Sequence, residues 1–214
     1  MAVGVVRRIL LVCCVLLLWC WWQGFLLMET GSGLLVQQLA LPSLSSVVFL
    51  QGDDASYTVT GPPTISAAFI DRVLAASGSP ATGSGQALYD LGVRSGIDPV
   101  YALAFFLHED RFGETGIGAA NHSLGNIRCS AGYACTSGFR SYVTWADAYQ
   151  DWYHLILYGY VRGQVTIPLV GHVCSTVDEI VPVYAPSSDK NDVAAYRAAI
   201  KHAVDTWRRG RIWV

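Results

Sequence analysis

Pro99-Val-Tyr-Ala-Leu-Ala-Phe-Phe-Leu-His-Glu109-Asp-Arg-Phe-Gly113 is an apolar helical run that ends on a carboxyl. Asp98 supplies an N-cap and Pro99 a first helical residue, so the helix start is well marked. Helical steps of three and four from Ala102 reach Phe105, Phe106 and Glu109, which puts this carboxyl on or beside an apolar face. It also sits at the negative end of the helix. Desolvation and a helix C-terminus both raise a carboxyl pKa. A carboxylic acid kept protonated near neutral pH is what a glycosidase needs to protonate a leaving sugar oxygen. The competing role for Glu109 is structural, as an ion pair with Arg111 or Arg128.

Outward toward the N-terminus, residues 9–28 are nearly continuous apolar sequence preceded by Arg7 and Arg8. The length fits one membrane span, and the basic flank predicts an N-terminus inside with the bulk of the chain outside. A cleaved signal peptide is the rival. It normally has a shorter apolar core and a small-x-small cleavage site, for which Gln38-Leu39-Ala40 is a poor match. The expected organisation is therefore a cytoplasmic flank and anchor at 1–28, a linker at 29–63 and one domain at 64–214. The 52% hydrophobic content of the 214 residues includes the anchor, so it overstates the domain's core. The formal net charge is -2 and no basic run with interleaved aromatics occurs, which argues against a nucleic-acid partner. Arg208, Arg209 and Arg211 form a short basic tail, expected as a solvated helix end.

The domain reads as mainly helical with one short β-hairpin. Ser66 can cap a helix whose stripe is Phe69, Ile70, Val73 and Leu74, ending at Gly78; a second covers 86–94 and stops at Gly96. Residues 112–143, rich in Gly, Asn, Ser and Tyr, predict loops with a hairpin. Thr144 with Asp147 opens a helix carrying Trp145, Tyr149, Trp152, Ile156 and Tyr160 on its apolar face. Thr176 and Glu179 form a capping box for a short helix that Pro182 is expected to end. The last helix begins near Asp192 and buries Val193, Tyr196, Ile200, Val204 and Trp207. Outside the apolar N-terminus, Cys129 and Cys135 flank a short Gly-containing segment and are the favoured disulfide, leaving Cys174 as a thiol outside that pair.

Three segments carry candidate chemistry: the Glu109 helix end, the loop Asn121-His-Ser-Leu-Gly-Asn-Ile-Arg128, and Tyr184-Ala-Pro-Ser-Ser-Asp189 leading to Tyr196. Glu109 with the following Gly113 resembles the first motif of lysozyme-like peptidoglycan hydrolases. Leu124-Gly-Asn-Ile-Arg128 is similar to the Asn-bearing segment of the bacterial glucosaminidase (mannosyl-glycoprotein endo-beta-N-acetylglucosaminidase-like) family, and the Tyr184 stretch resembles its third motif. The resemblance spans roughly residues 64–209. It implies an α+β lysozyme-like fold and cleavage of the β-1,4 bond between N-acetylglucosamine and N-acetylmuramic acid, with no cofactor. Glu109 would be the general acid. Tyr184 would be the second catalytic residue, holding substrate or stabilising positive charge at the sugar, and Asn126 would bind an N-acetyl group or hydroxyl. Asn121 and Glu114 are further substrate-binding candidates. The implied partners are peptidoglycan strands and the membrane, with the domain extracytoplasmic, or secreted if the N-terminal segment is cleaved.

The chain departs from this pattern where the family usually has Ser after its Glu and this sequence has Asp110. A two-carboxylate glycosidase needs a second acid across the cleft. The candidates are Asp110, Glu114 and Asp189. Attack by the substrate's own N-acetyl group, or by the muramic 6-hydroxyl as in lytic transglycosylases, needs only one. Other readings are a glycan-binding module without turnover and a cysteine amidase or peptidase using Cys174 or Cys129. His108-Glu109 begins like a zinc-protease motif, but position 112 is Phe.

Overall fold

The structure is a computed structural model that describes residues 57–163 and 173–214. Its central element is the expected helix, Pro99–Asp110 (α3). The Asp98 carboxylate accepts from the Val100 N–H, and residues 99–106 are all buried. A helix apolar all round can only be stable inside, so α3 runs through the core. Two earlier helices precede it. Ala67–Ala76 (α1) is capped by Ser66 and buries Phe69, Ile70, Val73 and Leu74, and Gly85–Ser95 (α2) ends on Gly96 at φ 67, a left-handed C-cap that glycine adopts freely.

After α3 come a short helix, Gly118–Asn121 (α4), and a hairpin of Cys135–Thr136 (β1) with Phe139–Arg140 (β2). Its two-residue turn places Ser137 and Gly138 both at positive φ, as a tight hairpin turn of the primed kind requires. The Cys129–Cys135 disulfide ties this hairpin to the strand-like segment leading out of the Asn126 loop. The helix α4 was not foreseen; four residues carry too little periodicity to announce one.

Trp145–His154 (α5) opens with the expected capping box and continues as a π-helical segment, Leu155–Val161. Tyr149, Trp152, Ile156 and Tyr160 are buried as their spacing predicts, while Trp145 is only half-buried. Val177–Tyr184 (α6) is followed by a 3-10 turn, Ser187–Asp189, and the last helix, Val193–Arg208 (α7). The helix α7 lies antiparallel to α3, its first turn meeting Glu109 and its last turn meeting Tyr101.

Three expectations are corrected. Pro182 lies inside α6 and does not end it. A proline there cannot donate to the carbonyl four residues back. That carbonyl, on Asp178, instead accepts from Arg197 Nη2 of α7 at 2.6 Å, and Lys201 Nζ holds the Asp178 carboxylate at 2.6 Å. The second correction is Arg208, which is not simply a solvated helix end. It ion-pairs with the buried Asp98 carboxylate at 3.1 Å and reaches Thr64 Oγ1 and the Tyr101 hydroxyl. Asp98 thereby caps α3, accepts from Thr64 and holds α7 at once. The third concerns residues 57–63, expected as the end of the linker. They pack on the domain, with Val59 buried and isolated bridges from Thr58 to Thr176 and from Thr60 to Ile97.

The expected anchor and the rest of the expected linker lie outside the described residues. Among the described residues no helix is long and apolar enough to cross a membrane.

Candidate active site

Glu109 occupies the last turn of α3 and is half-buried. Its Oε1 accepts from the Tyr196 hydroxyl at 2.5 Å, and the Asn126 side chain lies close enough to favour its charged form. Burial raises the Glu109 pKa, and these two neighbours hold that rise in check. The alternative ion pair is absent among the described residues. Arg128 turns to Asp189 at 2.8 Å, and Arg111 lines a cavity beside Glu114.

Tyr196 is buried on the first turn of α7, with the His108 ring 3.8 Å from its own and Phe105 at 5.9 Å. It was expected only as part of the apolar stripe of the last helix. It is in that stripe, but its hydroxyl reaches the carboxyl. The one sequence signal for this was its place at the end of the Tyr184 motif.

Asn126 sits at φ 44, a left-handed conformation that Asn tolerates better than most residues. The loop holding it there is braced from behind. The Tyr184 hydroxyl donates to the Gly125 carbonyl at 2.6 Å and accepts from Trp152 Nε1 at 3.2 Å. Gly125 lies so close to α5 that a Cβ would stand 2.6 Å from Trp152 Cδ1. No side chain larger than hydrogen fits without moving the loop. Tyr184 packs edge-on to Phe105 with ring centroids 5.2 Å apart, and its burial pushes the phenol pKa well up, so it stays a neutral donor. The Asn126 Oδ1 is buried without a donor.

Glu109, Asn126 and Tyr184 are therefore brought together, with Tyr184 placed behind the Asn126 loop and Tyr196 taking the contact with the carboxyl. Asn121 is placed otherwise. It is fully buried, its Nδ2 donates to the Thr136 carbonyl at 3.3 Å, and its own carbonyl accepts from the Tyr142 N–H, so it ties α4 to the hairpin. Glu114 is exposed and shares a cavity of about 370 Å³ with Arg111, Phe112, Trp207 and Trp213, not with Asn126 or Tyr196. Asp110 is buried and accepts from the Gly113 N–H at 2.9 Å. Cys174 is fully buried, its N–H donating to the Tyr160 carbonyl. Among the described residues no group of three or more His, Cys, Asp and Glu is arranged to hold a metal ion.

No protein-family model matches the chain, and no curated protein matches its sequence.

Proposed function

We propose that the chain is a peptidoglycan glycosidase with a lysozyme-like fold, anchored by its N-terminal segment and acting outside the cytoplasm. It cleaves the β-1,4 bond between N-acetylglucosamine and N-acetylmuramic acid. The observation that carries this reading is the Glu109 carboxyl, half-buried at the end of a core helix with Tyr196 donating to it and Asn126 beside it. In the neutral form Glu109 gives its proton to the glycosidic oxygen as the bond breaks. Both neighbours then stabilise the carboxylate left behind, so the acid is strengthened at the moment of transfer.

The positions of the other carboxyls favour a one-carboxylate route within this class. Asp110 is enclosed, Asp189 is paired with Arg128, and Glu114 faces a different cavity. The second group is then supplied by the substrate, either its N-acetyl oxygen or the muramic 6-hydroxyl. Glu109→Gln keeps the hydrogen-bonding shape but has no acidic proton to give. It should lower wall-lytic activity about a thousandfold, within the range for losing a general acid. Near wild-type lysis by this variant would end the proposal. Glycan binding without turnover by the unaltered protein would favour a binding module instead.

A further inference from the structure

Three successive residues after Asp110 are left-handed: Arg111 (φ 52), Phe112 (φ 59) and Gly113 (φ 83). For the two with a Cβ this conformation is unfavourable and persists only where surroundings enforce it. Asp110 helps to hold it, together with Ser79, whose hydroxyl donates to the Phe112 carbonyl at 2.7 Å. The Asp110 carbonyl accepts from the Gly113 N–H, the Thr115 N–H and the Thr115 hydroxyl, and its Oδ1 accepts from the Gly113 N–H at 2.9 Å. Its Oδ2 is buried with no donor. That atom and the Ser123 carbonyl oxygen both crowd Gly118, 1.6 and 2.9 Å from where a Cβ would stand. An oxygen with no donor beside an acceptor is satisfied by carrying a proton.

We propose that Asp110 is a positioning residue that works as the neutral carboxylic acid. Its Oδ2–H donates to the Ser123 carbonyl, closing the 110–123 loop and fixing Gly125 and Asn126 against Glu109. Loss of that proton puts a carboxylate against a carbonyl oxygen and releases the loop. The groups that face Asp110 agree. Glu109 on its own helix is a like charge, and the Tyr149 hydroxyl of α5, itself hydrogen-bonded with Ser84, lies within range of the Asp110 charge. The loop offers Asp110 backbone and the neutral Thr115 hydroxyl, while Arg111 and Glu114 line the cavity described above. Burial first, and then the Glu109 charge, push the Asp110 pKa up to about 7. The loop is therefore closed in acid and opens through neutral pH.

The test is hydrogen exchange on the full chain in detergent micelles, comparing wild type with Asp110→Asn, whose amide supplies the same donor at every pH. Protection of the Asn121 and Ser123 amides, which donate to the Ile117 and Gly118 carbonyls beside the closure, should fall at least about tenfold from pH 5 to pH 8 in the wild type, and change by no more than about twofold in the variant. Equal pH dependence in both proteins would overturn the proposal. Should Asp110→Asn fail to fold, the side-chain carboxyl carbon resonance of wild-type Asp110 decides: a midpoint near 7 supports the clamp, and ionisation complete at pH 5 overturns it. Only its consequence for rate rests on the glycosidase reading, in that Asp110→Asn should extend lysis to more alkaline pH. Absence of lysis by either protein would count against that reading and leave the exchange result standing.

Discussion

Glu109 and Tyr196 form the shortest link between α3 and α7, and each sets the other's chemistry. Tyr196→Phe removes a donor to the charged form of Glu109, so the carboxyl should hold its proton to higher pH. The alkaline limb of the pH–rate profile should move up, with kcat falling about tenfold as the carboxylate formed on proton transfer loses its partner. An unmoved limb would mean that Tyr196 only packs. Asp110 has a separate signature in stability. Its folded pKa lies near 7 against an ordinary 3.8, so the folded state binds its proton in that interval while the unfolded state does not. That stabilisation is whole below about 4 and is lost as pH rises through 7. The loss is on the order of a few kcal/mol and shows as a falling unfolding midpoint in acid-to-neutral scans. Asp110→Asn should flatten that slope.

The elements divide into those whose borders are written locally and those set by distant partners. Ser66, Asp98, Thr144 and Thr176 cap helices through side chains within three residues of the first turn, so the sequence is sufficient to find them. The run of Pro182 through α6 is different, because the carbonyl it orphans is satisfied by Arg197 from another helix. No local pattern could say that. Arg197→Ala should destabilise the domain by about 1 kcal/mol, the low end of the penalty for a stranded acceptor because this carbonyl is only part-buried, measured by denaturant unfolding. A hairpin was expected within 112–143, but its Ser137-Gly138 turn lies beyond both cysteines, which enclose 130–134. Replacing Cys129 and Cys135 together by Ser should cost about 2 kcal/mol, the chain-entropy value for so short a loop. An unchanged unfolding midpoint in either variant would contradict these assignments. The candidate site was legible to the same degree as its elements. Glu109 and Asn126 stand in motifs that the chain itself punctuates. Tyr196 hides in an apolar stripe, and the bracing role of Tyr184 depends on Trp152 and Gly125 meeting across the fold.

At the scale of the molecule, one buried helix carries both ends of the account. Asp98 at its start gathers Thr64, Arg208 and the first turn of α3, while Glu109 at its end gathers Asn126 and Tyr196. Because α7 touches both ends, damage at one should be felt at the other. Arg208→Ala leaves the nearly enclosed Asp98 carboxylate without its cation and should cost about 2–3 kcal/mol in thermal unfolding, somewhat below the penalty for a fully buried pair because Arg208 is partly exposed. The mainly helical architecture with its small hairpin agrees with expectation, whereas the antiparallel docking of α3 on α7 could be read only from the fold. The proposed glycan-cleaving acid at Glu109 depends on this docking. Mass spectrometry of purified peptidoglycan, digested by the full chain and by Glu109→Gln, tests it most directly. The account predicts fragments with new saccharide ends and intact peptide stems from the wild type, and almost none from the variant. Fragments cut in the peptide stems, or equal glycan scission by both proteins, would contradict it.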